Sequence, residues 1–154
     1  MSDVGANFQG KKVLILGGLG FIGSNLAHRL VMEGADVTIV DSMLPQYGGN
    51  LRNVEEIKDK ISINFSDIRD EFSMQYLVRH VEVIYSLAGQ TSHIDSMRDP
   101  HTDLDINCKS QLTLLEACRH ENPKAKIIYG STRQIYGKPQ YLPVDELHPI
   151  DPVD

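Results

Sequence analysis

Three glycines at a spacing of three, Gly17, Gly20 and Gly23, join an unbroken apolar run to an amphipathic segment. The run, Val13 to Leu16, reads with Lys12 as a buried strand over Lys12 to Leu16. From Phe21 onward Ile22, Leu26 and Leu30 recur every four residues with Ala27 and Val31 beside them, and Gly34 is the expected helix stop. A strand, a tight glycine turn and a helix in that order leave few architectures. The turn lets backbone N–H groups approach an anion, and the helix that follows points its positive end at the same place. A pyrophosphate satisfies both. No Gly-Lys-Ser/Thr follows the glycines, so the loop is not a Walker-type nucleotide site.

The pattern then repeats. Asp36–Val40 is a second strand, residues 41–50 a loop rich in Pro and Gly, and Leu51, Val54 and Ile57 mark a short helix. Ile61–Phe65 is a third strand, Leu77 and Val78 mark a further helix, and Val81–Ala88 is a fourth strand. Asp99-Pro100 opens the longest helix, running to about His120 with Leu104, Leu112, Leu115 and Cys118 expected inside; Lys126–Gly130 is a fifth strand. Alternating strands and helices imply an α/β fold, a parallel sheet covered on both faces. Right-handed crossovers then favour a Rossmann-like doubly wound sheet of order 3-2-1-4-5. The expected organisation is a tail (1–10), a dinucleotide-binding domain (11–137) and an extended, proline-rich tail (138–154).

Fifteen Lys and Arg against twenty-one Asp and Glu give a net charge of −6, which argues against nucleic acid and anionic membrane as partners. The longest apolar run falls far short of the roughly 20 residues of a membrane span, and no signal peptide is visible; a cytoplasmic location is the expectation. Cys108 and Cys118 are ten apart on one helix and, at about 100° per residue, face different sides, so a reduced thiol pair is expected. No histidine spacing suggests a metal site.

Asp41 ends the second strand, 18 residues after Gly23, where a carboxylate can bind both ribose hydroxyls of NAD and would repel the 2′-phosphate of NADP. The alternative is that Asp41 caps a turn.

Taken together these residues resemble the extended short-chain dehydrogenase/reductases, in particular the NAD-dependent nucleotide-sugar epimerases and dehydratases. GGLGFIGSNLA matches the family's nucleotide loop, with Leu16 in place of the usual Thr. SDIRD resembles the segment whose Asp, here Asp67, and following residue, Ile68, contact adenine; a solvated cluster of Asp67, Asp70 and Arg69 is the plainer reading. SLAGQTSHIDS resembles the loop that lays Leu87, Ala88 and Gly89 along the cofactor, with Ser92 and His93 toward substrate or as ordinary loop polar residues. Asn107 stands at the family's helix position, where Asn is locally unfavourable. GSTRQIYG resembles the segment bearing the catalytic hydroxyl, which falls on Thr132.

The resemblance implies that a hydride passes from a nucleotide sugar to bound NAD, with a Tyr phenolate as base and a Lys lowering its pKa. No Tyr here is followed four positions later by Lys. The chain is therefore expected to be the NAD-binding part of such an enzyme, inactive alone and self-associating into a homo-oligomer. The family's dehydratases carry Asp-Glu after the Thr; Arg133-Gln134 cannot supply that acid and base, which favours an epimerase, with Arg133 free to hold a substrate phosphate or carboxylate. A catalytically inactive dinucleotide-binding or interaction module is the alternative.

Overall fold

The computed structural model describes residues 8–153, so most of the expected tail 1–10 lies outside the described residues. Five parallel strands, β1 (Lys12–Leu16), β2 (Asp36–Val40), β3 (Ile61–Asn64), β4 (Val83–Ser86) and β5 (Lys126–Tyr129), form one sheet in the order 3-2-1-4-5. The doubly wound order expected from the alternation is the one observed. β3, β4 and β5 each stop one or two residues short of their apolar runs. The residues shed at the C-terminal ends become the loops that build the site.

The central strand explains why its run is uniformly apolar. Val13 and Ile15 pack on one face with Val37, Ile39, Ala27 and Leu30. Leu14 and Leu16 pack on the other with Val40, Ile84, Met74 and Leu114. Alternate side chains enter opposite cores, and each fully buried aliphatic contributes about 1.5–3 kcal/mol. The first face is covered by α1 (Phe21–Met32) and a 3-10 helix (Leu51–Lys60), whose buried Val54 and Ile57 are three apart and so share a side. The second is covered by α2 (Glu71–Leu77), capped by the Asp70 carboxylate, and by α5 (Ser110–Glu121).

Two expectations about helix faces need correction. On α1 the buried positions are Gly23, Ser24, Ala27 and Leu30, while Ile22 is 66% exposed. Small residues let this helix lie close on the sheet, and that contact turns Ile22 outward. The long helix expected from Asp99 is led by a separate α3 (His93–Arg98). It then runs as α4 (Pro100–Leu104), a π-turn (Asp105–Lys109) and α5. Its inner face carries Ile106, Ser110, Leu114, Ala117 and Cys118; Leu104, Leu112 and Leu115 are exposed. Close seating against the second core selects the smaller stripe over the more hydrophobic one.

The segment after Gly137 is not simply extended. It folds back so that the Asp151 N–H donates to the Ile135 carbonyl (3.0 Å), and it buries His148 at its centre. Among the described residues no helix is long and apolar enough to cross a membrane.

Candidate active site

The strand order reverses between β1 and β4, and a crevice opens there at the carboxyl ends of the strands, the place where doubly wound folds bind ligands. Its wall takes Gly17 and Gly20 after β1, Asp41, Leu44 and Tyr47 after β2, Ser66 to Ile68 after β3, Leu87 to Gly89 after β4, and Ile106 from the π-turn.

The three glycines act differently. Gly17 sits at φ +78°, and a Cβ there would lie 2.7 Å from the Ala88 backbone nitrogen. A Cβ on Gly23 would lie 2.3 Å from the Gly17 carbonyl oxygen. Gly20 is different: a Cβ would meet only the Gly17 oxygen, at an ordinary 3.4 Å. Packing requires the first and third glycines; at the second, a side chain would intrude on the crevice instead. Gly18, which the motif leaves unassigned, yields its side-chain space to Ile39.

Helix α1 begins without a side-chain cap and without an acid in its first turn. Its first intrahelical bond into the turn is the Ser24 N–H to the Gly20 carbonyl, so the Phe21, Ile22 and Gly23 amides precede it. The Phe21 and Ile22 side chains project into solvent, and neither lines the crevice; what these residues can offer is backbone N–H at the positive end of the helix dipole.

Asp41 is half-buried and engaged. Its Oδ2 accepts from the Leu19 N–H (3.1 Å) and its Oδ1 from the Met43 N–H (2.9 Å). The turn-capping role is therefore present, and it fastens the glycine loop. A carboxylate has about four lone-pair positions, so two contacts leave room for two more on the crevice side. The Leu19 carbonyl in turn accepts from the Asn50 N–H and the Asn53 side-chain amide.

At the far end Asp67 and Ile68 line the crevice. Asp67 takes both Arg69 Nε (2.9 Å) and a terminal guanidinium nitrogen (2.6 Å), and this pairing holds its carboxyl below the usual range. Asp70 leaves that group to cap α2, accepting from the Phe72 N–H.

A second, more polar cleft shares Leu87, Ala88 and Gly89 with the first and adds Gln90, His93, Asn107, Thr132, Arg133 and Gln134. Asn107 does not face the first crevice. Its Oδ1 accepts from the Gln90 N–H (2.8 Å) and its Nδ2 donates to the Gln90 carbonyl (2.9 Å), locking the loop after β4 onto the π-turn. Thr132 caps a 3-10 turn (Arg133–Tyr136), its Oγ1 accepting from the Gln134 N–H and lying 3.3 Å from Gln134 Oε1; Gln134 Nε2 is 3.0 Å from His93 Nε2. Ser92 stands apart from the cleft lining as the cap of α3, accepting from the Asp95 N–H. Tyr47 and Ile106 escaped sequence reasoning because only folding brings them here; Gln90 and Gln134 were legible as the neighbours of Gly89 and Arg133. Among the described residues no group of three or more His, Cys, Asp or Glu could hold a metal ion.

A family model for GDP-mannose 4,6 dehydratase matches residues 14–154. The chain belongs to that family. A putative UDP-glucose 4-epimerase of Methanocaldococcus jannaschii is 34% identical over 142 residues, 92% of this chain and 45% of the relative. A UDP-N-acetyl-alpha-D-glucosaminuronate decarboxylase of Bacillus cytotoxicus is 37% identical over 128 residues, 83% of this chain and 38% of the relative. Among solved structures, UDP-glucose 4-epimerase from Brucella ovis in complex with NAD superposes with a TM-score of 0.77 at 26% identity, covering 93% of this chain and 42% of that one. The chain thus spans less than half the length of these relatives.

Proposed function

We propose that this chain is the NAD-binding portion of a nucleotide-sugar-modifying enzyme of epimerase type. The observation that carries the reading is the convergence, at the β1/β4 switch point, of an uncapped helix N-terminus, a glycine that packing does not require and a carboxylate with spare lone pairs. These residues fit a dinucleotide. The amides after Gly20 receive the pyrophosphate, Asp41 the ribose hydroxyls, Asp67 and Ile68 the adenine, and Leu87, Ala88 and Gly89 the length of the coenzyme. Asn107 acts by fixing that last loop. NAD when bound supplies a reversible hydride acceptor.

On the substrate side Thr132 offers a hydroxyl to the reacting sugar oxygen, His93 lines the approach, and Arg133 holds a phosphate or carboxylate. Arg133-Gln134 lacks the acid and base of 4,6-dehydration, which favours epimerisation. The family's Tyr-x-x-x-Lys pair does not occur in this sequence.

Calorimetry with NAD, NADP and UDP-sugars on this chain tests the proposal. NAD binding that is weakened by D41N, with NADP weaker still and no turnover, is the expected result. Failure of NAD to bind overturns it.

A further inference from the structure

We propose that His148 is a positioning residue for the Thr132–Tyr136 turn, acting through the hydrogen bonds of its two ring nitrogens. His148 is 3% exposed, the one buried side chain of the loop from Lys138 to Asp151. Both ring nitrogens are used, and their partners dictate the proton's place. The Gln140 backbone N–H can only donate, and it points at Nε2 (2.9 Å). The Pro149 carbonyl can only accept, and it lies 2.9 Å from Nδ1. The ring is therefore neutral with its hydrogen on Nδ1.

From that position His148 ties the loop to the turn. Its ring meets Tyr136 edge-on at 5.6 Å and Tyr141 at 4.7 Å. Tyr136 ends the 3-10 turn that Thr132 caps, and the Asp151 N–H donates to the Ile135 carbonyl within that turn. The ionisable groups around the ring are Tyr136 on the turn and Tyr141 and Asp145 on the loop. The Asp145 carboxylate accepts from the Tyr141 hydroxyl (2.7 Å) and the Leu147 N–H (3.0 Å), both on Oδ1. Protonating Nε2 sets one N–H against another and removes the Gln140 bond. Losing that bond undocks the loop, and the Thr132 turn loses its backing.

The consequence for catalysis rests on the role proposed for Thr132, but docking is read without coenzyme or substrate, so the two stand or fall separately. Imidazole nitrogen NMR on the full chain at neutral pH is expected to show His148 with Nε2 bare. Amide exchange at Gln140 and Asp151, compared at one pH, is expected to quicken about tenfold when the ring is removed, with Val13 to Leu16 unchanged. H148Q, which keeps an acceptor for the Gln140 N–H, should retain protection. H148A should lose protection. A hydrogen on Nε2 at neutral pH in the unmodified chain, or Gln140 and Asp151 protection that H148A leaves undiminished, overturns the proposal.

Discussion

Replacing Gly23 and Gly20 separately by Ala distinguishes glycine needed for packing from glycine needed for a ligand. In G23A the new Cβ would sit 2.3 Å from the Gly17 carbonyl oxygen and 2.7 Å from the Gly18 Cα, and both are backbone atoms with no side-chain freedom to yield. Helix α1 must move off the β1 turn. Overpacking of this kind costs about 1–3 kcal/mol, against roughly 0.8–1 kcal/mol that Ala gains in helix propensity. Taking the upper half of that range, a net loss near 1–2 kcal/mol lowers Tm by about 2–8 °C for a domain of this size. In G20A the nearest atom is at 3.4 Å, so the fold should lose no more than about 1 kcal/mol, the scale of an N-cap change. The added methyl borders the crevice, so NAD affinity should fall at least tenfold. Urea and thermal unfolding with NAD calorimetry on both variants read the two effects. A G23A variant as stable as the parent, or a G20A variant that unfolds as early as G23A, refutes the division of roles.

The Asp67 carboxyl, held below its ordinary range chiefly by the Arg69 guanidinium, stabilises the folded state above the unfolded carboxyl pKa and loses that contribution as pH falls through its lowered value. In an acid titration between about pH 4 and pH 2, R69Q should move the Asp67 carboxyl signal upward and shift the unfolding midpoint to higher pH; an unmoved signal contradicts the pairing. Cys108 is exposed and Cys118 buried, its thiol pushed up by burial, so a thiol reagent should label one cysteine quickly and the second only on unfolding; two fast thiols would count against the helix face assigned here. Leu112 and Leu115 are 61% and 53% exposed on α5, and self-association through that face should be reduced in L112S/L115S by sedimentation, with thermal stability held within about 0.5 kcal/mol. A parent chain that stays monomeric removes the basis for that expectation.

Sequence alone determined the alternation of strands and helices, the limits of β1 and β2, and the glycine turn. Those features are written locally: a run of four apolar residues, a period near four, glycines where the chain must reverse. It also marked Asp41 by its place at the end of the second strand, and Asp67 through the resemblance of SDIRD to the family's adenine segment. Tertiary structure decided which stripe of a helix is buried. Leu112 and Leu115 read as core by hydrophobicity, yet Ser110, Leu114 and Ala117 take the inside because, four and three apart, they share the helix face that packs on the sheet. It decided that Asn107 serves the backbone of Gln90, seventeen positions away, and that Ser92 caps a helix. It brought Tyr47 and Ile106 to the crevice and buried His148 in a segment that reads as proline-rich tail. Each of these depends on hydrogen bonds or contacts between residues distant along the chain, and no local pattern encodes such a meeting.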